Sequence, residues 1–490
     1  MLLQPWRIAI VAALVAATFL PRLIGLGQIL TVDEPLWQGR AGLFIKSLAT
    51  LDLAGTMTTA QPGVTTTWVV GATYSRGSLA ADQAAIAVAI SVLILISTYF
   101  FVRLWGFRWG MLAGFVLALD PFFIAHSRVV HTDGLLTAFM FASLTSFLAG
   151  VAPLWRNRPV ITRYVVASGL FAGAALLTKL FGILLVPVVF FTLLYFLFTR
   201  RLSLPRTLFL LAGWGLALIF ATYSLWPALW LQHSPVYAYL YEWTFIHAGG
   251  TLGADVTNQW WFYIRESFFR ITPLTTLLLP FALAALLSRR LRQQKPVMFG
   301  SNVVLLLAAL FYIITLNISA DKSDRYILFG LVSLAVFSLL GLRWLASLPK
   351  LHKFIPILLA LPVIYLAADV IRLHPYYIAH YNRLYPIEEG HKMGWGEGLE
   401  QAAAWIKSRN PNASVVTFYP RVFNYFFPDS AETHRDEFTQ DYLIIYRSMF
   451  ERDPAAPETD LVSRWLGPAA PEPVKVITIN GLPYVWIFGQ

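Results

Sequence analysis

Long apolar segments recur along the first three quarters of the chain, separated by short polar connections. A helix needs roughly 20 residues to cross about 30 Å of hydrocarbon, and most of these segments approach that length. The pattern predicts eleven membrane-spanning helices, at residues 8–20, 84–101, 109–125, 134–151, 164–178, 180–198, 208–225, 273–287, 297–316, 326–342 and 354–371. No small-residue cleavage site follows the first segment, so we expect an uncleaved helix and not a signal peptide.

Two stretches after the first span are too short or too polar to be confident membrane-spanning helices. Apolar residues at positions 37, 41, 44, 45 and 48 recur at helical spacing, which indicates an amphipathic helix along the outer surface. Residues 64–74, after Gln61-Pro62-Gly63, are short for a span. An interfacial helix, a re-entrant helix and a crossing therefore all stay open for this second stretch.

From His374 onward the apolar runs shorten and the pattern becomes that of a soluble domain. An amphipathic helix is predicted at residues 399–407, and strands at 415–419, 442–446, 474–479 and 484–488, with Asn480-Gly481 as a hairpin turn. We divide the chain into a transmembrane domain, residues 1–372, and a small α/β domain, residues 373–490. The second domain has no phosphate loop, metal-ligand spacing or nucleophile elbow, so we expect it to be structural.

Composition supports this division. Of 490 residues, 57% are hydrophobic and only 13% are charged, more apolar surface than a soluble protein can bury. The predicted class is a mainly α, polytopic membrane protein with a small C-terminal α/β domain. The chain contains no cysteine, which excludes disulfides, thiolate metal sites and a cysteine nucleophile.

The charge distribution predicts an orientation in the cell membrane. Alternate connections are rich in Arg and Lys, so the positive-inside rule places the N-terminus in the cytoplasm and the C-terminal domain outside. Under this topology all 12 acidic residues before position 373 lie in or near the outer half, where we expect any chemistry. Residues 1–372 contain 27 basic residues, so the net charge of +11 is explained by topology and predicts no nucleic-acid partner.

Asp33 and Glu34 are the first candidate site. They follow the first apolar helix directly and precede Pro35. Carboxylates at such a position usually face water, a cation or a substrate. Helix capping is the alternative, because acids before a proline form a good helix start.

A second polar cluster, 126–134, lies between two strongly apolar helices and contains Arg128, His131 and Asp133. Capping accounts for Asp133 but not for Arg128 and His131. Lys179, at an outer turn, could extend to the interface or bind a lipid phosphate.

The later outer loops add further candidates. The aromatic loop 226–270 contains His247, and its rings suit either an interfacial belt or sugar stacking. In the turn 321–326, Lys322 and Arg325 could bind a phosphate or pair with neighbouring acids.

Several of these motifs together resemble the protein O-mannosyltransferase and aminoarabinose transferase family of GT-C membrane glycosyltransferases. They are the Asp33-Glu34 pair, the helix start at Gln61-Pro62-Gly63, Ser127-Arg128 followed by Thr132-Asp133-Gly134-Leu135-Leu136, Leu177-Thr178-Lys179-x-x-Gly182 and Lys322-x-x-Arg325-Tyr326. Each is weak alone, but their order and spacing through most of the membrane region are specific. Gln61 stands where the aminoarabinose transferases carry lysine, and no acceptor motif is evident, so the acceptor stays open.

The resemblance implies an inverting transfer of a sugar from a polyprenyl-phosphate donor to an acceptor hydroxyl or phosphate on the non-cytoplasmic face. It implies Asp33 as the base and Glu34 as its supporting neighbour. The substrate-binding candidates are Arg128, His131, Asp133, Lys179, His247, Lys322 and Arg325. A divalent cation is compatible with these side chains, although no ligand spacing is diagnostic and no cofactor is certain. Besides the donor, the expected partners are membrane lipids and a protein, lipid or glycan acceptor.

Two other classes are alternatives. A transporter or flippase would show related halves with broken helices and ionisable residues at mid-membrane depth, whereas the chain has no internal repeat and its acids gather toward one face. A non-catalytic subunit of an envelope glycan assembly would tolerate neutral substitutions at Asp33, Asp133 and Lys322 together, which an enzyme would not.

Overall fold

The computed structural model describes residues 4–59, 62–231, 233–242, 261–318, 322–386, 391, 393–433, 440–450 and 457–489. Its α-helices, numbered in chain order, are α1 Pro5–Leu23, α2 Glu34–Ala49, α3 Val64–Gly71, α4 Leu79–Trp105, α5 Phe107–Leu119, α6 Pro121–Ser127, α7 Thr132–Val151, α8 Thr162–Thr178, α9 Leu185–Phe198, α10 Leu204–Leu225, α11 Ala228–Leu231, α12 His233–Tyr241, α13 Phe262–Arg270, α14 Pro273–Leu286, α15 Arg289–Gln294, α16 Pro296–Leu316, α17 Leu328–Leu345, α18 Ile355–Leu373, α19 Leu399–Arg409, α20 Pro420–Phe426 and α21 Pro457–Leu466. The strands are β1 Val415–Thr417, β2 Ala431–Thr433, β3 Tyr442–Tyr446, β4 Lys475–Ile479 and β5 Leu482–Gly489.

The described residues contain 8 helices that are long and apolar enough to cross a membrane, or up to 10 spans if two bent helix pairs each count as one. The shorter apolar helix α8 has 17 residues. Each of the eleven predicted segments coincides with one of these helices or pairs. The predicted class, a polytopic α-helical membrane protein with a C-terminal α/β domain, is confirmed, but the count of eleven uninterrupted spans is not.

Proline explains the two bends. The pair α5 and α6 bends by 60° at Asp120, and the pair α13 and α14 bends by 111° before Pro273. Pro121 and Pro273 each occupy a first helical position, where the missing N–H costs nothing. In α6 the new start is capped by Asp120, whose Oδ1 accepts a hydrogen bond of 2.9 Å from the Phe123 amide. The apolar pattern continues through the break at Asp120, so it did not reveal that bend, whereas α13 is partly charged and the predicted span 273–287 already began at Pro273.

Helix α7 lies at the centre of the membrane region, and nearly all its residues are buried. Beside it, α8 packs closely on α10 through glycine. A Cβ on Gly169 would lie 2.3 Å from the Trp214 carbonyl oxygen, and one on Gly173 would lie 2.5 Å from that of Leu218. Close packing of these helices fixes the positions of the polar segments at their ends.

The two surface stretches form short helices. Trp37, Ala41 and Phe44 form the buried face of α2, while Leu36 and Leu43 are exposed on the other side. The predicted helix is therefore present, with its predicted apolar positions buried or half-buried and two leucines on the opposite side. Helix α3 has only 8 residues, which extend about 12 Å, so residues 64–74 do not cross the bilayer.

The C-terminal domain contains one five-stranded sheet with the order β2-β1-β3-β5-β4. Strand β1 pairs in parallel with β2 and β3, while β5 pairs antiparallel with β3 and β4. The predicted hairpin is present, with φ of 52° at Asn480 and 83° at Gly481. The three-residue edge strand β2 was not predicted because it is too short to show alternation.

The segment Gly394-Trp395-Gly396-Glu397-Gly398 joins the two domains. Its glycines have φ of 100°, 128° and 86°, a region that L-residues rarely adopt. The Trp395 carbonyl accepts a hydrogen bond of 3.1 Å from the Val32 amide, and the Gly396 amide donates to the Tyr446 hydroxyl at 2.8 Å. The segment thereby holds the C-terminal domain against the residue that precedes Asp33.

We expect Gly396→Ala to loosen this junction. A Cβ would lie 2.5 Å from the Leu30 carbonyl oxygen, and backbone strain at such φ values costs about 1–3 kcal/mol. The apparent melting temperature in detergent should fall clearly. Gly481→Ala is the control, because Gly481 also has positive φ but no atom within 4 Å of its added Cβ. Equal shifts for both variants would contradict the close packing proposed for Gly396.

Candidate functional site

Three separate segments bring charged side chains together at one end of the helix bundle. Asp33 precedes α2, His131 and Asp133 lie at the start of α7, and Arg325 lies in the 3-10 turn Asp324–Ile327. Asp33 Oδ2 is 3.2 Å from Arg325 Nη1 and 3.6 Å from His131 Nε2. Four of the predicted site residues therefore form one cluster.

Asp133 occupies the buried side of this cluster. Its Oδ1 accepts a hydrogen bond of 2.7 Å from Lys179 Nζ. Its Oδ2 lies 3.1 Å from His131 Nδ1 and 3.3 Å from Arg325 Nε. Lys179 reaches it from the break after α8, with its ammonium 3.9 Å from the centre of the Tyr326 ring. Oδ1 thus has a hydrogen bond, whereas Oδ2 lies within ion-pair distance of His131 and Arg325 without a hydrogen bond to either. The negative charge of Asp133 therefore holds both side chains beside Asp33.

Glu34 is fully buried and faces away from the cluster. Its Oε2 accepts from the Thr31 amide at 2.7 Å, and its Oε1 accepts from the Val130 amide and Gln83 Nε2 at 2.9 and 2.8 Å. These bonds join the segments of Asp33 and His131 to α4. Burial raises the pKa of Glu34, and its oxygens are not available to a substrate.

A cavity of about 340 Å³ adjoins the cluster between the membrane region and the C-terminal domain. Asp33 opens into it with 29% of its side chain exposed, against 3% for Asp133. Its walls are Val32, Asp33, Phe122, His126, Phe262, Arg265, Glu266, Arg270, Lys322, Ser323, Asp324, Arg325, Tyr326, Ile378, Met393, Gly394, Trp395, Phe418, Tyr419 and Ser448. Asp33 is thus the cluster carboxylate that a ligand can reach.

Lys322 differs from the other cations of the cavity wall. Arg265 pairs with Glu266 at 3.1 Å, and Arg270 pairs with Asp324. Lys322 Nζ instead donates to the Asn317 carbonyl at 3.0 Å, and no carboxylate among the described residues lies within ion-pair distance of it. Burial lowers the pKa of this ammonium. An anion in the cavity would compensate for that burial.

Trp395 is a site residue that sequence reasoning missed. Its ring lies 4.9 Å from the His131 ring, and Arg325 Cζ lies 4.4 Å from it. It therefore closes the cluster from the C-terminal domain. The available signal was the glycine-rich sequence around Trp395, but its three glycines alone did not show which surface the tryptophan would cover.

His126 was also missed. It is buried in the cavity wall, and neither ring nitrogen has a hydrogen-bond partner among the described residues. Its position in the predicted cluster 126–134 was the signal.

One predicted residue lies elsewhere, and another is not described. Arg128 donates to the carbonyls of Pro21, Ile24 and Gly25 and stacks over Tyr377, so it closes the end of α1 and does not line this cavity. His247 lies outside the described residues.

A resident metal ion does not fit this side-chain set. Within the described ranges, no three His, Asp or Glu side chains are grouped as metal ligands. The positive charges of Lys179 and Arg325 already face the carboxylates of Asp133 and Asp33, and they oppose a further cation there.

Comparison with known proteins identifies the fold. The chain resembles ArnT from Cupriavidus metallidurans bound to undecaprenyl phosphate, with a TM-score of 0.53, 14% identity and coverage of 98% of both chains. The chain has a GT-C fold. The apo state of the same ArnT gives a TM-score of 0.52, 15% identity and coverage of 98% and 97%. The chain also matches the archaeal oligosaccharyltransferase AglB from Archaeoglobus fulgidus, in complex with an inhibitory peptide and a dolichol-phosphate. The TM-score is 0.48 and the identity 13%, and the match covers 87% of this chain and 64% of that chain.

At the sequence level, residues 68–226 match the model of the dolichyl-phosphate-mannose-protein mannosyltransferase family. This segment includes His131, Asp133 and Lys179, whereas Asp33, Lys322 and Arg325 lie outside it. No curated protein sequence is a significant match. The predicted resemblance to GT-C mannosyltransferases and aminoarabinose transferases is confirmed by the family match and the ArnT-like fold together.

We expect His131 to make the folding stability of the protein sensitive to acid. Burial lowers its pKa below the ordinary 6.5, despite the facing carboxylates of Asp33 and Asp133. The folded state therefore binds fewer protons than the unfolded state below about pH 6.5, and stability falls as the pH drops. His131→Gln should show a shallower loss of melting temperature between pH 6.5 and 5 than the unmodified protein.

The control for this measurement is His352→Gln, at an exposed histidine distant from the cluster. It should keep the unmodified pH dependence. If the melting temperature of His131→Gln fell with pH as steeply as that of the unmodified protein, His131 would not titrate differently in the folded and unfolded states.

Proposed function

We propose that this protein transfers a sugar from a polyprenyl-phosphate donor to an acceptor on the non-cytoplasmic face of the membrane, with inversion at the anomeric carbon. The observation that carries the proposal is a single cavity with an accessible carboxylate, Asp33, and a cation without a carboxylate partner among the described residues, Lys322. The carboxylate of Asp33 suits removal of a proton from the acceptor, and the ammonium of Lys322 suits binding of a phosphate. The ArnT-like fold and the mannosyltransferase family match support this reading.

The proposed reaction is a single displacement. Asp33 takes the proton of an acceptor hydroxyl while the acceptor oxygen bonds to the anomeric carbon. The bond from that carbon to the donor phosphate oxygen breaks on the opposite face, and the polyprenyl phosphate leaves with the electron pair. Asp33 can serve as the base because Arg325 and His131 approach its Oδ2, while Oδ1 has no hydrogen bond or ion pair to the described residues.

The leaving phosphate needs positive charge more than it needs a proton. Lys322 and Arg325 lie in the cavity wall and would stabilise the developing phosphate charge by preorganised electrostatics. Lys179 is directed to Asp133 at 2.7 Å, so we infer that it positions Asp133 and, through it, Arg325. Arg325 would then contact both the base and the leaving group.

The donor and acceptor are proposed only as classes. The name of the matching family favours a mannosyl polyprenyl phosphate as the first donor to test. The acceptor is a hydroxyl of a protein, lipid or glycan. The Arg- and Lys-rich connections support a position of the cavity and the sheet domain outside the cytoplasm under the positive-inside rule.

We expect Asp33→Asn to lower the turnover rate by about 10²–10⁴-fold, the usual contribution of a general base, while folding and donor binding persist. Mass spectrometry of envelope glycans, glycoproteins and lipids from cells with and without the protein would first identify the acceptor. Turnover would then be measured with that acceptor and polyprenyl-phosphate mannose. Asp52→Asn, at an exposed acid after α2, is the control. Full turnover in Asp33→Asn would reject Asp33 as the base.

We expect Lys322→Met to weaken binding of undecaprenyl phosphate by about tenfold or more, because a charge-assisted phosphate contact contributes roughly 1.5–3 kcal/mol. Lys322→Arg should retain most of the affinity. Lys353→Met removes a lysine outside the cavity wall and should leave the affinity unchanged. Binding would be measured by native mass spectrometry of the purified protein. Equal affinity in Lys322→Met would remove Lys322 from the phosphate site.

A further inference from the structure

A second charged cavity lies at the other end of the bundle. Its volume is about 620 Å³, and its wall contains no acidic residue. The lining consists of Leu154, Asn157, Arg158, Pro159, Val160, Thr199, Arg200, Arg201, Leu202 and Arg206. We call these residues the arginine pocket. They come from the connection after α7, the connection after α9 and the first turn of α10.

Helix α7 sets the distance between this pocket and the candidate active site. It has 20 residues and is therefore about 30 Å long. Asp133 lies in its first turn, whereas Leu154 and Arg158 follow its last turn. The two cavities therefore lie at opposite faces of a membrane that α7 spans, and the arginine pocket lies on the face predicted to be cytoplasmic.

An apolar groove continues from the arginine pocket along the lipid-facing surface. It has a volume of about 640 Å³ and runs between α9 and α16. Its walls include Phe191, Leu307 and Phe311, all of which are exposed. Arg201 lines both cavities, and Arg292 stands at the same end of the groove. A charged compartment is thus continuous with an apolar one, the arrangement that a lipid headgroup and its chain require.

The positive-inside rule alone does not explain this arrangement, because it requires basic residues on one face but not around one cavity. Arg201 is held by a hydrogen bond of 3.1 Å to the Leu154 carbonyl, and Arg206 by one of 2.8 Å to Thr162 Oγ1. The side chains of Arg158 and Arg200 donate no hydrogen bond to the described residues and form no ion pair with them. Arg200 also has φ of 58°, a backbone conformation that costs energy for a non-glycine residue.

We propose that the arginine pocket and its groove form a binding site for an anionic phospholipid with two phosphate groups, of the cardiolipin type. The four arginines of the pocket, together with Arg292, carry more positive charge than one phosphate neutralises, and basic pockets between membrane helices on the cytoplasmic side suit such headgroups. The phosphates bind the arginines, and an acyl chain occupies the groove between α9 and α16. This site is separate from the proposed donor site and does not depend on the proposed reaction.

Native mass spectrometry of the purified full-length protein tests the site. Cardiolipin, phosphatidylglycerol, phosphatidylcholine and undecaprenyl phosphate would each be titrated in detergent. We expect cardiolipin to bind more tightly than phosphatidylglycerol or phosphatidylcholine. Arg158→Gln/Arg200→Gln should weaken cardiolipin binding at least tenfold, because it removes two guanidinium groups that make no hydrogen bond or ion pair with the described residues.

The matched control is Arg289→Gln/Arg290→Gln, which removes two exposed arginines from the same predicted face but outside both cavities. It should leave cardiolipin binding unchanged. Leu307→Trp provides an independent variant that fills the groove and should also weaken binding, without any change in charge. Equal weakening by both double variants, loss of undecaprenyl phosphate binding in Arg158→Gln/Arg200→Gln or equal binding of phosphatidylcholine would each overturn the proposal.

Discussion

Arg325 is the residue on which the candidate active site depends. Its guanidinium approaches the carboxylates of Asp33 and Asp133 at 3.2 and 3.3 Å and lies over the Trp395 ring. Two carboxylates that contact the same guanidinium are close to each other, and without a cation between them they would repel strongly in a poorly solvated site. One planar side chain with several N–H donors can contact both acids and an aromatic face. Arg325 thereby joins the start of α2, the start of α7 and the C-terminal domain.

The carboxylates of Asp33, Glu34 and Asp133 look alike in the sequence but differ in burial and in their partners. Glu34 accepts hydrogen bonds from amide groups of two segments and one glutamine, so it stabilises their relative position. Asp133 is engaged by Lys179, His131 and Arg325. Asp33 retains an accessible oxygen in a cavity. A base must meet its substrate, and for this reason Asp33 is the carboxylate that we propose as the base.

The membrane region separates two kinds of polar site by the length of one helix. The end of α7 that carries Asp133 adjoins paired acids and bases, where proton transfer and phosphate departure are both chemically reasonable. The other end adjoins arginines without acids, which suits stable anion binding but no proton abstraction. Helices packed closely through small residues, such as Gly169 and Gly173 in α8, keep these ends in fixed positions.

Local sequence patterns determined the apolar helices, the helix α2, most strands of the sheet and the polar clusters that contain Asp33, His131, Asp133, Lys179 and Arg325. Apolar periodicity reports burial and secondary structure over a few turns, so these features follow from it directly. Only the tertiary structure decided the long-range contacts, because a pairing such as Asp133 with Lys179 depends on how distant helices pack. It placed Trp395 over the cluster, buried Glu34 behind it, directed Arg128 to backbone carbonyls and left the carboxylate of Asp33 accessible. Periodicity shows which residues approach the membrane surface; packing shows which charges meet there.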